Sequence, residues 1–199
     1  MPRPKQRTPE LRAEVLRVAL AMLAEDGAEG VTARRVAEAA GTSPPAVYEL
    51  FGDKAGLVRE MFFEGFRRLG AAVSAVVPSD DPVADVDRLL AAYRTFARRN
   101  PALVTLMFSR PFAEFDPGPE EARAGAAVRE LVVDCVRRAA GTGSMAGDPT
   151  DVAHVLLALA QGLAAQEIAG WLGSSAASRR RRWELAASFV RQGLVPTFA

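Results

Sequence analysis

The sequence predicts an all-α fold, and three observations lead to this prediction. Strand signals are nearly absent from its 199 residues. Capping side chains stand directly before prolines, which is typical of helix N-termini because the first helical residue needs no amide hydrogen. These pairs are Thr8-Pro9, Asp81-Pro82, Asn100-Pro101 and Asp148-Pro149. Glycines that follow periodic segments indicate helix ends, and they are Gly27, Gly41, Gly141 and Gly173.

These start and stop signals divide the chain into about nine helices. The predicted ranges are 9–26, 32–40, 44–51, 54–77, 82–99, 101–110, 119–140, 149–172 and 178–194. In the first helix the apolar residues recur on one face, as a helix that packs on a core requires.

Composition excludes several classes of protein. A net charge of +1 argues against non-specific binding of the whole protein to nucleic acid, so any DNA binding must depend on local clusters of charge. One cysteine, Cys135, forms no internal disulfide and is compatible with a reducing cytoplasm, where we expect the protein.

Polar residues interrupt the apolar segment 152–172, and an acidic residue at a membrane centre costs about 2.5–3.5 kcal/mol. We expect that helix inside protein, not in a membrane.

Catalytic chemistry is not expected. His154 is the only histidine and Cys135 the only cysteine, so neither a Cys/His dyad nor a multi-histidine metal site is evident. The sequence also lacks a glycine-rich phosphate-binding motif. We therefore predict no enzyme activity, no metal and no cofactor.

Residues 31–57 contain the pattern of a helix-turn-helix. A short helix, a glycine turn, a second short helix that begins at Pro44-Pro45 and the start of a third follow one another. Such a pair can place its second helix in the major groove of DNA. Taken alone, the stretch fits a surface turn of any all-α protein equally well.

The second short helix has an inward and an outward face. Ser43 is positioned to cap it, and Val47 and Phe51 share the face that packs on the first two helices. The opposite face carries Pro45, Ala46 and Glu49, flanked by Tyr48. We expect the small apolar groups to contact thymine methyls and the phenol to donate to a phosphate.

Three cations stand where helix dipoles disfavour them. Arg34 and Arg35 fall in the first turn of the second helix, and Lys54 in that of the fourth. Each placement costs roughly 0.3–1 kcal/mol, and a cation beside free amides makes a phosphate clamp, which explains it. Arg179–Arg182 begin the last helix in the same way, and there we expect a solvated face or pairing with acidic residues.

This stretch resembles the N-terminal domain of TetR-family transcriptional regulators. The resemblance rests on residues 32–41, Ser43, Ala46-Val47-Tyr48, Phe51, Lys54 and Leu57. It implies that Thr32, Tyr48 and Lys54 contact phosphates and that Arg34 and residues 43–46 lie near base edges. The predicted DNA-binding set is Thr32, Arg34, Arg35, Thr42, Ser43, Pro44, Pro45, Ala46, Tyr48 and Lys54.

The chain departs from the family pattern at two positions. Leu50 stands where the family commonly has histidine, so one phosphate contact is expected to be missing. Thr42 replaces an apolar residue and is expected to alter the packing of the turn. The resemblance implies a helix-turn-helix domain over residues 1–53 and a helical ligand-binding and dimerisation domain over residues 54–199.

Aromatic and sulfur side chains of the later helices can line an apolar cavity, although a filled core explains most of them as well. Gln161 needs a partner in an otherwise apolar helix, which the protein, a water, a ligand or a second subunit can supply. The predicted ligand-binding residues are Phe66, Tyr93, Met107, Phe112, Gln161 and Trp171. We expect the ligand to be a largely apolar small molecule.

The last two helices can form a twofold dimer surface. The candidates are Leu156, Leu159, Leu163, Phe189, Val190 and Leu194. Such a dimer would place two reading helices roughly 34–36 Å apart, one turn of double-stranded DNA, and would bind a palindromic operator. We therefore expect a dimeric repressor that a ligand releases from DNA. The alternative is a helical ligand-binding or scaffold protein without DNA binding.

Overall fold

The computed structural model describes residues 8–109, 111–143 and 147–193 of the chain. Every regular element in these residues is an α-helix, which confirms the predicted all-α class. The helices are α1 (Pro9–Gly30), α2 (Ala33–Ala39), α3 (Pro44–Phe51), α4 (Lys54–Ser74), α5 (Pro82–Arg99), α6 (Pro101–Ser109), α7 (Pro119–Gly141), α8 (Pro149–Ile168) and α9 (Ala176–Gly193). No helix of this described part is long and apolar enough to cross a membrane.

Local capping explains most of the helix starts. The Thr8 hydroxyl accepts a hydrogen bond from the Leu11 amide at 3.3 Å, and the Asp148 carboxylate accepts one from the Thr150 amide at 2.9 Å. Such bonds satisfy amides that have no partner within the helix. Each of these caps lies within three residues of its partner, so the sequence alone could locate it.

Ser43 is the exception, and the side-chain cap predicted there is wrong. Its backbone has the extended geometry of an N-cap, but its hydroxyl makes no capping bond. Pro44 and Pro45 have no amide hydrogen to donate. The first available amide, that of Ala46, donates to the Ser43 carbonyl at 2.9 Å instead.

Helix α8 ends at Ile168, four residues earlier than predicted. Gly170, with φ of 79°, ends it instead of Gly173. The Gly170 amide donates to the Glu167 carbonyl at 3.2 Å, and the Trp171 amide donates to the Gln166 carbonyl at 2.9 Å. This pair of bonds is the Schellman motif, and it leaves Trp171 outside the helix.

The helices form two compact units. The first consists of the described residues of Met1–Phe66 and Asn100–Ala122, in which α1 packs on α2 and α6, and α2 packs on α3. The second consists of those of Arg67–Arg99 and Arg123–Ala199, in which α5, α8 and α9 pack together. These packing units do not follow the predicted boundary between residues 53 and 54, because the start of α4 and all of α6 belong with the N-terminal helices.

A buried carboxylate organises the second unit. The Asp85 side chain is fully buried, where it accepts hydrogen bonds from the Ser79 hydroxyl at 2.7 Å and from the Arg138 guanidinium at 2.9 Å. Burial by itself raises the pKa of Asp85, but these bonds and the charge of Arg88 overcome it and lower the pKa to about 2. The carboxylate therefore joins the segment before α5 to α7.

Candidate nucleic-acid interface

The turn between α2 and α3 is built by Gly41 and Thr42. Gly41 has φ of 62°, a conformation that favours glycine. The Gly41 amide donates to the Glu38 carbonyl at 3.1 Å, and the Thr42 amide donates to the Ala37 carbonyl at 2.8 Å. The Thr42 hydroxyl is buried without a hydrogen-bond partner. Thr42 was predicted to contact DNA, but the hydroxyl of its side chain lies inside the turn and is shut off from solvent.

Helix α3 is held by its inward face. Val47 and Phe51 are buried as expected, but Ala46 is buried as well, with 6% of its surface exposed. The prediction that Ala46 lies on the outward face is wrong, because the buried arc of α3 extends past Val47 to its flank. The outward face that remains consists of Pro45, Tyr48 and Glu49, all exposed.

The N-terminus of α3 offers no amide to a phosphate. Pro44 and Pro45 occupy its first two positions, and the amides of Ala46 and Val47 both donate to the Ser43 carbonyl, at 2.9 and 3.2 Å. Helix N-termini bind anions through unsatisfied amides. Any anion that binds to α3 must therefore be contacted by side chains, and the phenol of Tyr48, which is 46% exposed, is one that is available.

The three predicted phosphate-binding cations differ in their surroundings. Arg34 is exposed and forms no ion pair with the described residues. Arg35 donates to the Asp26 carboxylate at 2.5 Å and to the Gly30 carbonyl at 2.9 Å. Thr32 is also exposed, and its hydroxyl accepts a hydrogen bond from the Arg35 amide at 3.3 Å. Thr32 and Arg34 are thus both exposed at the start of α2, and of the two arginines there only Arg35 is paired with an acidic residue of the described part.

Lys54 contacts an acidic residue that the sequence analysis did not single out. Its ammonium lies 2.9 Å from the Glu114 carboxylate and 5.5 Å from the ring centre of Phe112. The hydrogen bond from Lys54 lowers the pKa of Glu114. Asp53 caps the same helix end, since its carboxylate accepts from the Gly56 amide at 2.7 Å. The amides beside Lys54 are thus partly satisfied within the chain.

Arg12 is a second residue that sequence reasoning missed. Its guanidinium stacks 4.5 Å from the ring centre of Phe51, donates to the Leu50 carbonyl at 3.3 Å and pairs with Glu60 at 2.8 Å. It therefore ties α1 to α3 and α4 at once. No local signal points to it, because its partners lie 38 to 48 residues further along the chain.

The predicted ligand-binding residues belong to different units. Phe66, Met107 and Phe112 are in the first unit, where Phe66 contacts Phe108 with ring centres 5.9 Å apart. Tyr93, Gln161 and Trp171 are in the second unit. Trp171 is 78% exposed, because α8 ends before it.

Tyr93 faces a small apolar cavity in the second unit. The cavity has a volume of about 20 Å³ and is lined otherwise by valine, leucine and alanine side chains, among them Leu90, Val132 and Leu156. The Tyr93 hydroxyl is buried without a hydrogen-bond partner, and this burial raises the pKa of Tyr93. Gln161 is half-buried and is not part of the lining.

The predicted dimer residues also divide. Phe189 is 61% exposed, whereas Leu156 is buried inside the chain. Leu159, Leu163 and Val190 are half-buried, and Leu194 lies outside the described residues. Val155 and Leu185 are exposed apolar residues of the same two helices that the sequence analysis missed. Helical periodicity could have indicated the exposure of Val155, because residues 155 and 156 point to different faces of one helix and only one of them can face the core.

Comparison with known protein families matches both parts of the chain. The model of bacterial regulatory proteins of the tetR family matches residues 15–61, which contain α2 and α3. The model of the tetracyclin repressor-like C-terminal domain matches residues 86–190, more than half of the chain. No curated protein sequence matches this chain.

Solved structures share the fold along nearly the whole chain. A protein with unknown function from Rhodococcus sp. RHA1 is 28% identical, with a TM-score of 0.81 over 98% of this chain and 100% of its own. A tetR-family regulatory protein from Rhodococcus RHA1 is 21% identical, with a TM-score of 0.69 over 92% and 98%. The regulator PfmR from Thermus thermophilus is 18% identical, with a TM-score of 0.69 over 89% and 97%. With its helix-turn-helix of α2 and α3 and its matched C-terminal helices, the chain belongs to the TetR family of bacterial regulatory proteins.

Proposed function

We propose that the protein is a dimeric repressor that binds a palindromic operator and releases it when a largely apolar small molecule binds. The observation that carries this proposal is the double role of α8. Leu156 of α8 lines the cavity beside Tyr93, while its neighbour Val155 is 66% exposed on another face. One helix thus joins a candidate effector cavity to a candidate dimer surface.

Exposed apolar side chains on α8 and α9 support the dimer. Val155, Leu185 and Phe189 are each more than half exposed, and Val155 and Phe189 line one open pocket of about 440 Å³. Clustered apolar surface of this kind is characteristic of an interaction site. A second copy of the chain, related by a twofold axis, would cover it with the same surface.

The Tyr93 cavity supports an apolar effector. Apart from Tyr93, the lining residues have only apolar side chains, whereas a buried water needs two to four polar partners. A larger apolar molecule with one hydrogen-bond acceptor would satisfy the hydroxyl and displace Leu156. Because ligands shift populations only through different affinities for two states, such a molecule must bind the DNA-released geometry of the dimer better.

Selection of duplexes from a random-sequence pool tests DNA binding. A repressor of this kind enriches palindromes whose half-sites are about one helical turn apart, roughly 34–36 Å. Enrichment of single half-sites would contradict the dimeric arrangement. Failure to enrich any sequence would favour a ligand-binding or scaffold protein that does not bind DNA.

Substitution of the apolar surface tests the dimer. We expect Val155→Glu and Phe189→Glu to give monomers by sedimentation analysis and to abolish binding to the selected palindrome, because buried unpaired charges oppose association. The matched control is Val77→Glu, since Val77 is 74% exposed in the segment between α4 and α5. Dimers in both α8 and α9 variants would place the subunit interface elsewhere.

A further inference from the structure

The segment between α6 and α7 lies against the N-terminal half of α4. Phe115 is buried and contacts Phe62 of α4, with ring centres 5.5 Å apart. Further along, Glu121 is buried, and its carboxylate pairs with Arg59 of α4 at 2.5 Å and accepts from the Gly118 amide at 2.8 Å. The segment is thus attached to α4 by the ring of Phe115, and the first turn of α7 that follows it is attached to α4 by an ion pair.

Glu114 lies between two buried aromatic residues of this segment. Phe112 and Phe115 on either side of it are both buried, and the Phe115 amide donates to the Phe112 carbonyl at 3.3 Å, which closes a turn around it. The turn leaves the Glu114 carboxylate exposed and directs it at the Lys54 ammonium, 2.9 Å away. The ring of Phe112 lies beneath the same ammonium.

A phosphate and Glu114 cannot both pair closely with Lys54 without repelling each other. The ammonium has three donors, but a phosphate beside it would lie within a few ångströms of the carboxylate. Like charges at such a distance are unfavourable, and salt screens the repulsion. DNA binding at Lys54 therefore requires the carboxylate to move away or remain as an opposing charge.

We propose that Glu114 is a built-in competitor of DNA for Lys54 and so sets the affinity of the protein for the phosphate backbone. The inference rests on the proposed DNA binding and on the phosphate contact of Lys54. Because Glu114 sits in the connection between α6 and α7, the position of this segment on α4 tunes how strongly Lys54 attracts a phosphate.

The test is a binding titration with the full chain and a labelled random-sequence duplex, at several salt concentrations between about 50 and 200 mM. We expect Glu114→Gln to tighten binding about twofold to fivefold at the lowest salt, the range of an exposed ion pair. The gain should shrink as salt rises. Glu130→Gln on exposed α7 surface changes the net charge equally and is expected to have a smaller effect.

The same substitution in a Lys54→Ala background decides the mechanism. If Glu114 acts through Lys54, Glu114→Gln has no effect once the lysine is gone. An equal gain in both backgrounds would overturn the inference in favour of diffuse charge. Weaker or unchanged binding of Glu114→Gln would overturn it as well, while leaving the proposed function intact if Lys54→Ala still weakens binding.

Two further outcomes separate this inference from the proposed function. If Lys54→Ala leaves the affinity and its salt dependence unchanged, the inference fails and DNA binding must rest on Arg34, Tyr48 and their neighbours. If the wild-type chain binds neither this duplex nor a selected one, the proposed function fails. Thermal unfolding of Glu114→Gln controls for folding, and a midpoint near that of the wild type is expected.

Discussion

The Arg35 guanidinium on α2 forms an ion pair with the Asp26 carboxylate on α1, with a distance of 2.5 Å between nitrogen and oxygen. Its neighbour Arg34 forms no ion pair with the described residues. Both arginines lie in the first turn of α2, so the sequence predicts the same role for each of them. The difference arises because α1 packs on α2 and brings Asp26 to one of them. Arg35 thus joins the first two helices, and Arg34 faces outward.

This contrast predicts different effects of two alanine substitutions. We expect Arg34→Ala to weaken binding to all duplexes and to reduce the slope of log affinity against log salt by about 0.9, as for one phosphate contact. Arg35→Ala should change that slope less and lower the free energy of unfolding by about 0.2–1 kcal/mol. Salt titrations and chemical denaturation of both variants measure this. A larger slope change for Arg35→Ala would show that it leaves Asp26 for the phosphate backbone.

Two substitutions on the outward face of α3 are expected to act differently, one on the affinity for all DNA sequences and the other on which sequences are preferred. Tyr48→Phe removes only a hydroxyl and should weaken binding to all sequences about twofold to tenfold, the value of one hydrogen bond. Pro45→Ala should alter which sequences are selected, because base contacts specify while phosphate contacts position. Repeated selection with each variant tests this. An unchanged consensus for Pro45→Ala would argue against base contact there.

The junction of α3 and α4 depends on Gly56. A methyl group at this position would lie 1.8 Å from the Phe51 carbonyl oxygen, too close for any side chain. We expect Gly56→Ala to lower the thermal midpoint and the DNA affinity together, because the backbone that joins the reading helix to α4 must shift. Gly70→Ala in the same helix meets only a contact of 3.8 Å and should be neutral or stabilising. Equal midpoints for the two variants would contradict this steric account.

The buried hydroxyl of Tyr93 predicts a stabilising substitution. Its burial without a partner costs free energy that Tyr93→Phe would recover, about 1 kcal/mol or a rise of roughly 2–4 °C in thermal midpoint for a chain of this size. Calorimetry of the protein without added small molecules measures it. A fall in the midpoint would show that the hydroxyl has a partner in solution.

The Asp85 network predicts a pH-dependent stability. The pKa of Asp85 falls from 3.8 to about 2 on folding, so its contribution is complete above pH 3.8 and is lost as the pH falls toward 2. We expect Asp85→Asn to lower the thermal midpoint at neutral pH, with a difference from wild type that narrows below pH 3.8. The exposed Asp80→Asn is the control. A constant difference at all pH values would indicate a packing effect instead.

The sequence alone determined the nine described helices, the turn at Gly41 and the helix-turn-helix. These features depend on caps, prolines and glycines whose partners lie within about four residues, so they are visible in a short window. Ser43 failed this reasoning because the one amide of the first turn that the two prolines leave, that of Ala46, donates to the Ser43 carbonyl and not to its hydroxyl.

Only the tertiary structure decided which charges and faces are available. Lys54 and Glu114 are 60 residues apart, and Arg59 and Glu121 are 62 apart, so no local pattern pairs them. The burial of Ala46 likewise depends on how α3 is rolled against α2, and that of Leu156 on the helices around it. Helix limits follow from bonds between near neighbours, whereas side-chain partners follow from packing between segments that are distant in the chain.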